Sequence, residues 1–149
     1  NKILRFTEYV EDWETGQFEA EYLGTTPIAY APDIVAGSLF TAHYRDFVIG
    51  LHSNYVSKQY MDNSGSDSRK IDAYFVNNLR MAYTFHPKGL QSLEVACHVN
   101  NLFNEEYESN GYVWYTWYEG SGADRLRGND LRYFPQAGTH VLVSLTAKF

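Results

Sequence analysis

The sequence predicts an all-β, antiparallel fold, and three observations carry that expectation. The dominant hydrophobic period is two, and helix periodicity is weak throughout. The alternating runs are about the length of strands and are separated by clusters of Gly, Pro, Asn, Asp and Ser. The connections between runs alternate between short and long. The chain has 149 residues, enough for one domain with a sizeable core.

Taken in order, "NKILRFTEYV" is β-prone, and a polar loop is expected after it through Thr26. Residues 34–44 read as a strand with imperfect alternation, and Arg45-Asp46 as a tight connection. Residues 47–60 alternate well: Phe47, Ile49, Leu51 and Tyr55 share one face, Gly50, His52, Asn54 and Lys58 the other. Residues 61–70, "MDNSGSDSRK", read as a polar loop. In the next run Ala73, Phe75, Leu79, Met81, Tyr83 and Phe85 oppose Asp72, Asn78, Arg80 and Thr84. "HPKGLQ" is a turn, with Pro87 and Gly89 as punctuation. Then Leu93, Val95, Cys97, Val99 and Phe103 oppose Glu94, His98 and Asn100. A long aromatic, glycine-bearing connection is expected over 104–132, and a last strand from about Phe134 to Phe149.

Composition narrows the function classes. Aromatics make up 17% of the chain, with 13 Tyr, 9 Phe and 3 Trp, which suits a boundary with one apolar and one wet side. No apolar run is long enough for a transmembrane helix, but a membrane barrel alternates lipid-facing and lumen-facing residues and keeps a low mean hydropathy. The net charge of −6 argues against a nucleic-acid partner. Cys97 is alone, so neither an internal disulfide nor a thiolate metal site is expected. The five histidines have no metal-ligand spacing, and no nucleophile elbow or phosphate loop is present. No catalytic residue, metal or cofactor is therefore assigned. "DNSGSD" is oxygen-rich but lacks EF-hand spacing, and reads as a solvated turn. Alternation by itself fits both a membrane barrel and a soluble sandwich with one solvated face. The length parity fits the barrel: with the last strand descending, connections near 10–26, 61–70 and 104–132 fall outside and the two short ones fall on the periplasmic side.

Several local patterns add a family resemblance. "NYVSKQYMDN" (54–63) resembles a strand-to-loop passage of TonB-dependent outer-membrane receptors. "VNNLFNEEY" (99–107) is similar to their Asn-Leu-Phe signature near the end of the barrel, and "YFPQAG" (133–138) to the opening of their last strand. "TPIAYAPDIVAGSLF" (26–40) fits the same family upstream, and "YESNGY" (107–112) looks most like receptors of Bacteroidetes-type bacteria. Thr139 departs from the pattern, since many relatives carry Arg there.

This resemblance implies a transmembrane antiparallel β-barrel of about 22 strands with an amino-terminal plug. Residues 1–149 are then expected to supply about the last six strands, with plug and TonB box lying outside the chain, since Asn1 opens within patterned sequence. The implied location is the outer membrane of a Gram-negative bacterium, and the implied activity is TonB-dependent import of a scarce nutrient: an iron chelate, haem, a vitamin or a glycan. The implied partners are the remainder of the receptor, the TonB complex acting through the plug, the barrel-assembly machinery, and membrane lipid with lipopolysaccharide. Val141, Val143, Leu145, Ala147 and Phe149 are similar to the terminal signal that this machinery reads. Ligand contact is expected in the last outer loops through Tyr112, Trp114 and Trp117, with Arg125 and Arg127 able to pair an anion. The alternative for the aromatics is an interfacial girdle. Two other readings stay open: a small complete outer-membrane barrel serving as adhesin or structural protein, and a soluble carbohydrate-binding β-sandwich.

Overall fold

The computed structural model describes residues 1–11, 15–118 and 126–149. The chain is all-β, with antiparallel pairing throughout the described residues. It divides into two compact units, 34–56 with 73–107 and 136–149, and 1–33 with 57–72 and 108–135.

The first unit is a five-stranded meander. Its strands are β3 (Val35–Tyr44), β4 (Phe47–Val56), β7 (Tyr74–Phe85), β8 (Ser92–Asn100) and β11 (His140–Lys148), neighbouring one another in that order. Strands of 9 to 12 residues match the reach needed to cross a bilayer at a tilt. The Arg45-Asp46 connection is tight because Arg45 adopts φ 55° and its guanidinium lies 5.4 Å from the Tyr44 ring centroid. Asp46 ties this turn to its neighbour: its carbonyl accepts from the Thr84 N–H at 2.9 Å, and its carboxylate lies 3.3 Å from His86. Both short connections, 45–46 and 86–91, lie at one end of the sheet, and the two long ones leave from the other.

Register separates an apolar face from a mostly polar one, on which Leu39, Val48 and Leu142 also lie. On the apolar face, Tyr44, Phe47, Tyr83, Val95 and Leu145 form a cross-strand row. The next rows are Ala42, Ile49, Met81, Cys97, Val143 and then Phe40, Leu51, Leu79, Val99, Val141. With Phe85, Leu93 and Ala147 beyond, the apolar band is roughly 20 Å tall at about 3.4 Å per residue. At the edge strands it is open, with Phe40 79% exposed, Val143 72% and Leu145 68%, while the middle strands' apolar residues are mostly half-buried. The other face is polar and carries His43, His52, His98 and His140 together with Arg80, Glu94, Asn78 and Asn100. There Arg80 donates to Glu94 at 2.9 Å, one row to either side of the Ala82–Ala96 pair. Both alanines are buried beneath that bridge, so small residues are required at the two positions.

The second unit is built from hairpins. Strands β1 (Lys2–Glu11) and β2 (Phe18–Pro27) pair, so most of the expected loop through Thr26 is strand. The acidic run misled because Phe18, Ala20 and Tyr22 alternate with Glu19 and Glu21, a pattern that an exposed ribbon tolerates. Residues 61–69 form the expected loop, with a single 3-10 turn at Asp67–Arg69, and it is closed by β5 (Gln59–Tyr60) pairing with β6 (Lys70–Ile71). The expected connection over 104–132 is a long hairpin, β9 (Glu108–Tyr118) with β10 (Leu126–Pro135), its runs of Tyr, Trp, Val and Thr being strong strand formers. The expected last strand is therefore two elements. Pro135 closes β10, and β11 begins only at His140.

Candidate functional site

The two quoted signatures near the end of the chain form one structure. Strand β8 stops because Asn101 turns to φ 50°, a conformation Asn adopts more readily than most side chains. Its side chain is buried and saturated. The amide nitrogen donates to the Glu105 and Ala137 carbonyls at 2.9 and 3.1 Å, and the amide oxygen accepts from the Glu105 N–H at 2.8 Å. The Asn101 carbonyl accepts from the Thr139 hydroxyl at 2.6 Å, and Asn104, itself at φ 53°, accepts from the Thr139 N–H at 3.0 Å. A Cβ on Gly138 would lie 2.6 Å from the Asn104 side-chain oxygen, so a larger residue there would displace the acceptor of the Thr139 N–H. Tyr107 packs on Tyr74 with ring centroids 4.5 Å apart, and its carbonyl accepts from the Gln136 N–H. Thr139 is thus a working part of the clamp. Phe103 leaves the alternation at this turn and is 72% exposed.

The clamp brings β11 beside β8 across a long excursion, and so places the terminal apolar residues. Val141, Val143, Leu145 and Ala147 share the apolar face of an edge strand. Phe149 follows β11 and is 95% exposed.

The polar face of the sheet holds two adjoining concavities. One of about 490 Å³ is lined by His52, Arg80, His98, Asn78 and Asn100 among others. The next, of about 400 Å³, shares Asn78 and Asn100 and adds Asn54, Tyr74, Tyr107 and His140. Neither offers a metal set: among the described residues no group of three or more His, Cys, Asp or Glu converges.

The expected ligand contacts fall on the β9–β10 hairpin. Tyr112 and Trp114 lie on one face of β9 and are 44% and 58% exposed. Trp117 and Arg127 are backbone partners across the hairpin. Arg125 lies outside the described residues. At the foot of the hairpin a groove of about 490 Å³ is lined by Tyr30, Gln59, Ser109, Asn110, Tyr112 and Phe134, with Gly111 at its floor. Tyr30, Gln59 and Phe134 were not legible as partners of Tyr112, because they come from three separate segments of the chain.

The "DNSGSD" turn is internally occupied. Asp62 accepts from the Ser64 N–H at 2.9 Å, and its other carboxylate oxygen lies 3.1 Å from Arg69 Nε in a nearly buried ion pair. That contact is close but out of line for a hydrogen bond; Arg69 donates instead, through Nη2, to Ser64 at 2.8 Å. With its carboxylate held this way, Asp62 is poorly placed to serve a cation. Nearby, the Lys58 ammonium, by hydrogen bond first and charge second, holds the Asp67 carboxyl below the usual carboxylate range. No family model, curated protein or solved structure matches the chain.

Proposed function

We propose that the chain is part of a TonB-dependent outer-membrane receptor that imports a scarce nutrient such as an iron chelate, haem, a vitamin or a glycan. The observation that carries the reading is the sheet itself. Five antiparallel strands of crossing length present an apolar band on one face and a charged, amide-rich surface on the other. In a soluble sandwich the apolar face would be packed against a second layer; here the apolar residues of the edge strands β3 and β11 are exposed and those of the middle strands mostly half-buried. In a barrel that face meets lipid and the polar face lines a wet lumen. Its two open edges, β3 and β11, call for further strands, because unpaired backbone is not tolerated in hydrocarbon.

On this reading 1–149 belongs to the carboxy-terminal part of a barrel of about 22 strands, and a plug outside the chain couples to the TonB complex. The short connections at 45–46 and 86–91 are periplasmic, the hairpins of the second unit are extracellular, and β11 carries the apolar strand face presented to the assembly machinery. The chain's residues hold wall and ligand; none performs chemistry. The test is fractionation of cells carrying the full-length protein, followed by uptake of labelled iron chelate, haem, cobalamin or oligosaccharide. Outer-membrane residence with uptake abolished by collapse of the proton gradient is the expected result. A protein recovered in the soluble fraction without detergent overturns the reading.

A further inference from the structure

The groove at the foot of the β9–β10 hairpin is notable for what lines it. Three aromatic rings, Tyr30, Tyr112 and Phe134, stand beside Gln59, Ser109 and Asn110, and none of these side chains is charged at neutral pH. Its volume of about 490 Å³ lies within the range of small-ligand sites.

The site is built rather than incidental. Tyr30 is tethered at both ends: its N–H donates to the Tyr60 carbonyl at 2.8 Å, and its hydroxyl donates to the Gly111 carbonyl at 2.9 Å. Burial first, and the Asp62 carboxylate second, push the Tyr30 phenol above its ordinary value, so it stays a donor. Gly111 admits no side chain, since a Cβ would sit 2.7 Å from the Arg132 carbonyl and 2.8 Å from Met61 sulfur. The Tyr112 and Phe134 rings lie 6.1 Å apart and tilted by 42°.

The charges described beside the groove are paired. Arg132, the cross-strand partner of Tyr112, forms an exposed ion pair with Asp130 at 3.1 Å. Asp62 is held by Arg69. The lining itself offers an anionic chelate no cation, and the adjoining Arg132 is shared with Asp130, so an anion gains little for the hydration it gives up. A ligand whose rings present C–H faces and whose rims present hydroxyls suits the lining: aromatic planes pack on the first, and amide and hydroxyl groups bond the second.

We propose that this groove binds a saccharide, a neutral hydroxyl-rich ligand, in preference to an anionic metal chelate. The inference deepens the import reading and rests on it for the ligand's fate, though not for binding itself. The test is calorimetric titration of the full-length protein in detergent with neutral malto-, manno- and xylo-oligosaccharides and with a ferric tris-catecholate. At least one oligosaccharide is expected to bind, weakened about tenfold or more by Tyr112→Ala and by Phe134→Ala. Tyr112→Phe and Phe134→Tyr keep the rings and are expected to keep binding, which guards against misfolding as the cause of loss. The proposal is overturned if no oligosaccharide binds, if ring removal leaves sugar binding unchanged, or if the catecholate binds and is lost in the same variants. Outer-membrane residence with no sugar binding defeats this inference alone. Sugar binding by a protein found outside the outer membrane defeats the import reading alone.

Discussion

Asn101 shows how much one side chain can hold. It ends β8, satisfies Glu105 twice, and reaches the Ala137 carbonyl just before β11. Asn101→Ala strands buried backbone groups at about 1–3 kcal/mol each, so a net loss of about 3 kcal/mol is expected as a lower denaturation midpoint in detergent. Asn101→Asp should be worse, because it exchanges the donating amide for a charge facing two carbonyls. The Asp62–Arg69 pair makes a second prediction at this scale. Both side chains are nearly buried, so Arg69→Ala leaves a carboxylate without its cation and costs about 3 kcal/mol. Asp62→Asn combined with Arg69→Met should recover much of that loss, which a double-mutant cycle on unfolding measures directly.

At the level of elements, the two faces of the sheet make opposite demands. Met81 sits in the middle row of the apolar band, and Thr41 lies on the polar face of β3. Arg at Met81 is expected to cost about 3 kcal/mol in lipid, whereas Arg at Thr41 should be nearly neutral. Folding titrations in lipid vesicles separate the two. The β5–β6 hairpin responds to pH through an exposed pair. Lys58 is raised, by the Tyr60 hydroxyl first and Asp67 second, and Asp67 is lowered by Lys58. The Asp67 contribution is present above the ordinary carboxylate pKa and fades as pH falls through its lowered value. The Lys58 contribution is present below the ordinary lysine pKa and fades as pH rises through its raised value. Protection of the Met61 N–H, which donates to the Arg69 carbonyl, is therefore expected to be greatest between those limits. Added salt should diminish it.

For the whole molecule, the five-stranded sheet is open. Its edges β3 and β11 each present an unpaired backbone, and its apolar face is exposed along them. Residues 1–149 expressed alone are expected to aggregate in buffer and to need detergent or lipid, as sedimentation would show. A clear, monomeric solution without detergent would contradict the barrel reading. On the barrel reading, Val143→Asp, on the apolar face of β11, should lower the amount of full-length protein assembled in the outer membrane while leaving ligand affinity of the assembled fraction unchanged.

The sequence by itself determined the faces of this sheet's strands but not all their ends, because a period of two assigns each side chain to one side without reference to any partner, whereas β4 stops at Val56 and β11 starts only at His140. It also marked "VNNLFNEEY" and "YFPQAG" as signatures, and Tyr112 and Trp114 as exposed aromatics on one stretch. It did not reveal the hairpin strands β2, β9 and β10, whose glutamates, glycines and aromatics read equally well as loop. Only the tertiary structure decided that the two signatures are a single clamp and that Tyr112 shares a groove with Tyr30, Gln59 and Phe134. The reason is physical. Face assignment follows from the local geometry of the strand, whereas which segments meet depends on how the turns return the chain, and hydrogen bonds between residues more than 30 positions apart leave no periodic trace.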